Sequence, residues 1–285
     1  MKAYRNIARI LKSRPTMEGA GVRLNRVFGY DEVPLLDPFL LLDDFHSDNP
    51  ADYLKGFPWH PHRGIETMTY MISGSMKHED SLGNKGTING GDGQWMTAGS
   101  GIIHSEMPGQ DSGLLWGLQL WVNLPSRLKM TDPRYRDITA ATVPEISAGD
   151  ASLKIIAGDF EGVKGPALEI SAEPTYIDAA IRAGGRLELS MPRGRTAFAY
   201  VMEGNAIVSD GGYPLGPATL ALFSDGEAIQ IRAGKTTTRL ILVSGKPIGE
   251  PVAWQGPIVM NTKEELARAY EEYRNGTFLR HTMKK

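Results

Sequence analysis

Cysteine is absent from this 285-residue sequence. Disulfide bonds and thiolate metal sites are therefore excluded, and a reducing compartment needs no special provision. No apolar run is long enough to span a bilayer, so no membrane segment is expected. The first residues interleave bases with apolar side chains and lack an unbroken apolar stretch, so they are not expected to act as a secretory signal. A cytoplasmic protein is the expectation. Charge of one sign is also lacking: the formal net charge is −2 with both signs scattered, so there is no basic footprint for direct nucleic-acid binding. Histidine is scarce too, with six in the whole chain.

Glycine (33) and proline (18) are plentiful, and short strand-like stretches follow one another closely, which points to an all-β fold. Val22–Val27 alternates, and Asp37–His46 is an apolar run closed by acids, expected as a core strand. Glu66–Ile72 is rich in strand formers and stops at Ser73-Gly74. His78-Glu79-Asp80 reads as part of a solvated hairpin loop, and His46 beside Asp43 and Asp44 as a surface group rather than a second metal centre. Trp116 and Trp121 in Leu114–Leu124 are expected in the core. The polar, proline-containing stretch 125–150 suggests a linker. Near the C-terminus Thr262-Lys263-Glu264-Glu265 has capping-box form, with Leu266, Ala269, Tyr270 and Tyr273 on one face and Gly276 as a stop, so a single helix is expected there.

Three of the six histidines lie in two short pieces, His60-Pro61-His62 and His104-Ser105-Glu106. Side chains two apart on a strand share a face, so each pair converges. If the two strands lie side by side, His60, His62, His104 and Glu106 can hold one divalent ion. Imidazole with one carboxylate suits iron, copper, nickel, manganese or zinc rather than calcium. A weak internal echo lays Thr69–Gly74 over Ala199–Gly204, an offset of 130 that places Ser190 and Pro192 where His60 and His62 stand. A second barrel would then lack a comparable site.

Gly56, His60, His62, Glu66 and Gly74, with Gly93, Gly99, Gly101 and His104, resemble the two motifs of the cupin superfamily, Gly99 standing where proline is usual. Within it, FPWHPHRGIET, HEDS, GDGQWMTAGSGIIHSEMPG, LQLWVNL and GPIVMNT resemble signatures of the pirin family across nearly the whole chain. The resemblance implies a bicupin, two β-barrels with a C-terminal helix. It divides into a metal-binding cupin domain at 1–137 and a cupin domain without metal at 138–285. It implies iron(II) held by His60, His62, His104 and Glu106, with Glu66 a non-ligand. It also implies a dioxygenase that cleaves flavonols such as quercetin, a small aromatic substrate whose enolic proton Glu106 would accept. Phe57, Trp59, Met68 and Tyr70 are candidates for the apolar wall. The alternative is an iron-dependent, redox-sensing binding protein with a protein partner, a transcription factor or metabolic enzyme. A sugar-phosphate isomerase is a third option, with Arg63 as its one candidate phosphate clamp.

Overall fold

The structure, a computed structural model, describes residues 2–208, 212 and 214–281. The chain folds as two compact units that interleave in sequence. One comprises Arg14–Leu35, Phe39–Ala140 and Ile248–Lys285, the other Met1–Ser13, Leu36–Pro38 and Ala141–Pro247. No described helix is long and apolar enough to cross a membrane.

The unit that carries the histidines has two sheets. In the seven-stranded sheet the order is Arg134–Ile138, Gly93–Thr97, Ile65–Ser73, Leu115–Asn123, Phe39–Ser47, Val22–Phe28 and Arg14–Glu18. The smaller sheet runs Phe57–His62, Ile102–Pro108, Ser75–Asp80 and Lys85–Asn89. Every pairing is antiparallel, as expected of strands joined by short turns. The interior is part apolar, with Leu24, Phe45, Met71 and Leu115 in one cluster and Leu40, Ile65, Met96 and Ile102 in another.

The other unit repeats this plan with different filling. Its seven-stranded sheet includes Thr196–Glu203, Thr238–Gly245 and Thr175–Ile181, and its smaller sheet runs Arg186–Ser190, Ala228–Ala233 and Ala206–Val208. In the smaller sheet Leu187 faces Ile231 and Leu189 faces Ile229 in register. All four are buried in a hydrocarbon cluster. Ser190 and Pro192 are exposed at the strand's end, so the offset of 130 lays the two histidine positions over outward-facing residues.

The units do not coincide with a cut at 137/138. The Ile7–Lys12 strand hydrogen-bonds to Thr219–Phe223, and the chain beyond Ile248 returns to the histidine-bearing unit. The stretch expected as a linker supplies edge strands instead: Arg134–Ile138 pairs with Gly93–Thr97, and Glu145–Ala148 with Ala151–Ala157. Both strands are only partly buried, and their polar, half-exposed residues carry no core-strand pattern.

The returning segment forms a hairpin, Ala253–Gln255 with Ile258–Met260, and then the helix Lys263–Arg274. The capping box closes as expected: Glu265 N–H donates to Thr262 Oγ1 at 3.1 Å, and Thr262 N–H to Glu265 Oε2 at 3.0 Å. Leu266 and Ala269 pack on Ile258, Met260 and Phe278, and Gly276 ends the helix at φ +71°.

Two buried basic side chains fasten this segment beside the first histidine pair. Arg63 donates to Ser100 O (2.7 Å), Glu272 Oε2 (2.6 Å) and Phe278 O (2.8 Å), with its guanidinium 4.2 Å from the centre of the Phe278 ring. The phosphate-clamp expectation is thereby overturned, since the guanidinium is consumed inside the fold. Lys129 Nζ donates to Gly64 O (2.9 Å), Asn123 Oδ1 (2.6 Å) and Val259 O (2.9 Å). Gly64 itself has φ +76°, and a Cβ there would lie 1.9 Å from Val259 O, so only glycine lets the hairpin approach.

Replacing Lys129 by Met would strand three buried acceptors, each of which costs about 1–3 kcal/mol when left bare and uncompensated. With the gain in apolar burial offsetting part of this, the expected net loss is about 2 kcal/mol. It would be read as a lower urea midpoint at unchanged m-value.

Candidate metal centre

The Phe57–His62 and Ile102–Pro108 strands are neighbours, and their register sets His104 directly opposite His60, with Ile102 opposite His62. Alternation then aims all three imidazoles the same way. One ring nitrogen from each lies within 4.8 Å of the others, the only such cluster of three or more histidine or acidic donors among the described residues. The ring centres are 4.4 to 5.0 Å apart.

Their outer hydrogen bonds fix which nitrogen faces inward. His60 Nδ1 is 2.8 Å from Pro58 O, and His62 Nδ1 is 3.2 Å from Pro257 O. A carbonyl can only accept, so each Nδ1 carries the proton and each Nε2 presents a lone pair. Yet these two Nε2 atoms stand 3.1 Å apart. Two lone pairs at that distance repel unless a proton or a metal ion is shared by the two nitrogens. His104 adds a third inward group, buried with neither ring nitrogen hydrogen-bonded. Burial, followed by the nearby His60, holds the His62 and His104 imidazoles well below their usual pKa, so both stay neutral and able to ligate. The donor set fits a divalent transition ion, and the carbonyls that orient the rings are the supporting contacts such sites use.

Glu106 comes to the same interior by a different route. A register shift between His104 and Glu106 sets it opposite Phe57. Thr69 Oγ1 donates to its Oε1 at 3.1 Å, and Gln119 Nε2 reaches Oε1 and Oε2 at 3.1 and 3.0 Å. It lies outside the close cluster of the three imidazoles. Glu66 is fully buried and accepts from Thr97 Oγ1 at 2.8 Å, apart from the histidines.

The hairpin-loop reading of His78-Glu79-Asp80 needs correction here. His78 and Asp80 are buried in the Ser75–Asp80 strand, not solvated in a loop: His78 lies opposite Glu106 in register, its ring centre 4.8 Å from that of Tyr135. Asp43 pairs with Arg26, Asp44 accepts from the Trp116 indole, and His46 stacks on Trp116 at 4.1 Å, which accounts for that trio without a metal.

The site opens into a cavity of about 740 Å³. Phe57 and Trp59 line it as expected. Met68 and Tyr70 do not, because they alternate with Thr69, which faces Glu106. The remaining aromatic wall is Tyr30, Trp121 and Trp254, with Trp121 edge-on to His62 at 5.0 Å and Trp254 5.9 Å from Trp121. Trp121 followed a run that read as core, and Trp254 and Pro257 lie some two hundred residues from His60. Only the GPIVMNT string of the pirin resemblance pointed at that region.

The Pirin family model matches residues 21–122, and the model for the pirin C-terminal cupin domain matches residues 176–279. A pirin-like protein of Caulobacter vibrioides is 44% identical over 96% of this chain and 99% of its own. Human pirin is 38% identical over 96% and 94%. Among solved structures, a quercetin 2,3-dioxygenase from Acinetobacter baumannii superposes with a TM-score of 0.91 at 35% identity, covering 97% of this chain and 99% of that one.

The neutral imidazoles make a sign for stability against pH. With folded values depressed below the ordinary 6.5, the unfolded chain binds more protons as the pH falls through that value. Metal-stripped protein is therefore expected to lose stability between about pH 6.5 and 5. Urea midpoints should fall over that window for the parent and fall less for His104→Leu; an equal fall in both would count against buried neutral histidines.

Proposed function

This chain belongs to the pirin family, and from that premise we propose that it is a metal-dependent dioxygenase of the flavonol-cleaving kind. One observation carries the reading. His60 and His62, their Nε2 atoms 3.1 Å apart, line an aromatic-walled cavity of about 740 Å³, and the bare, buried His104 belongs to the same three-histidine cluster. That volume lies within the range of small-molecule sites, which are about 300–1,000 Å³. Flat rings of Trp59, Trp121 and Trp254 suit a flat aromatic substrate. The likeness to the Acinetobacter baumannii quercetin 2,3-dioxygenase supports the same substrate class.

In this reading His60, His62 and His104 hold the ion, with Glu106 as the fourth group. Iron(II) is the ion we assign, the donor set being equally open to nickel, copper, manganese or zinc. When bound, the metal supplies Lewis-acid polarisation of a substrate oxygen and electron exchange with dioxygen. The chain's residues do the rest. The aromatic walls exclude water and hold the substrate's plane. Glu106 accepts the proton of an enolic hydroxyl placed over the histidines, and the donors Thr69 and Gln119 steady its carboxylate for that task. Pro58 O and Pro257 O keep the ring nitrogens in the tautomer that faces the cavity.

Protein loaded with iron(II) under anaerobic conditions should, on admission of oxygen, consume oxygen and bleach quercetin absorbance together. Glu106→Gln is expected to lower the rate by about 10²–10⁴-fold, the usual worth of a general base. His104→Ala should bind iron poorly and show no turnover. Parent protein with a full iron complement and no turnover above Glu106→Gln would sink the proposal.

A further inference from the structure

We infer that Gln119, locked by the Trp121 indole, is the residue that positions Glu106 beside the three histidines. The inference rests on the metal site proposed above, but not on the reaction.

Gln119 and Trp121 are two apart on the Leu115–Asn123 strand and line the same cavity. An indole N–H can only donate. Trp121 Nε1 lies 3.2 Å from Gln119 Oε1, so the amide oxygen must face the indole and the amide NH₂ must face the other way. That other side is Glu106, whose two oxygens receive Gln119 Nε2 at 3.1 and 3.0 Å. Thr69, opposite Gln119 in the sheet register, completes the cradle: it donates to Glu106 Oε1 at 3.1 Å and accepts from Gln119 at 3.3 Å. A free carboxamide could turn over and offer its oxygen to the carboxylate, which would repel it. Trp121 removes that option.

The same indole also stands edge-on to His62 at 5.0 Å and forms part of the cavity wall. One tryptophan thus contacts a histidine of the cluster, fixes the amide that holds the carboxylate, and faces whatever fills the cavity. Gln119 is a positioning residue: it acts on the site through Glu106, and Trp121 acts through Gln119.

The test uses the full chain loaded with cobalt(II), whose visible absorption reports its ligands. Spectra and cobalt affinity are compared for the parent, Gln119→Leu, Trp121→Phe, Glu106→Ala and Glu106→Ala with Gln119→Leu. Trp121→Phe keeps an aromatic ring and removes only the N–H side, so it carries the test if Gln119→Leu does not fold. Both single variants are expected to alter the cobalt band and to weaken affinity by about 10–100-fold, the usual effect of losing an outer contact to a ligand. In the Glu106→Ala background Gln119→Leu should change affinity less than about twofold, because the two residues form one coupled pair. Spectra of both single variants that superimpose on the parent, or a Gln119→Leu effect undiminished without Glu106, would overturn the inference. Turnover plays no part in the readout, so a protein that cleaves no flavonol but shows these shifts would sink the dioxygenase reading and leave this one standing. A parent that binds no cobalt would sink both.

Discussion

The structure depends first on one strand register. His60 faces His104 across the Phe57–His62 and Ile102–Pro108 pair, and alternation carries His62 to the same side. A slip of a single residue would turn one pair of side chains to the other face of the sheet and scatter the cluster. That register is held from outside the two strands as well as within them. Arg63, the residue after His62, is gripped by Ser100, Glu272 and Phe278, and Gly64 admits Val259 so closely that no side chain could replace its hydrogen. The turn that follows the histidines is therefore tied to the returning C-terminal segment, and this tie helps to hold the geometry of the cluster.

The two units show what the same plan does with different inward residues. One unit turns His60, His62 and His104 inward from its smaller sheet, whereas the smaller sheet of the other turns Leu187, Leu189, Ile229 and Ile231 into a hydrocarbon core. Burying each such aliphatic side chain is worth roughly 1.5–3 kcal/mol, whereas a buried imbalance of lone pairs costs stability until something compensates it. A barrel filled with hydrocarbon is a structural element. A barrel lined with neutral imidazoles spends stability on a capacity to bind.

Much of the centre was legible because it is local. Two i, i+2 pairs needed only the alternation of a strand to be read as convergent, and the capping box at Thr262 needed only a three-residue spacing. The cavity walls were not legible for the same reason inverted. Trp254 and Pro257 arrive from the returning C-terminal segment, and no local period announces a residue that meets His62 from 195 positions away. Trp121 looked like core because its strand is mostly apolar, and composition alone could not say that the face it shares with Gln119 opened to a cavity. His78 and Asp80 misled in the opposite sense, since two buried polar side chains in a polar string carry no mark of burial. The interleaving of the units was hidden for a topological reason: a first strand that pairs with Thr219–Phe223 has nothing in its own composition to reveal its distant partner.

The Pro257 carbonyl that sets the His62 tautomer has a consequence for biosynthesis. A ribosome that adds about 5–20 residues per second releases His62 on the order of 10–40 s before Pro257 exists. In that interval the nascent chain can pair its two histidine strands while His62 is still free to swivel and to expose either nitrogen. The tautomer of His62 is thus set only once the returning hairpin has been made and has closed against the strand that carries this ring.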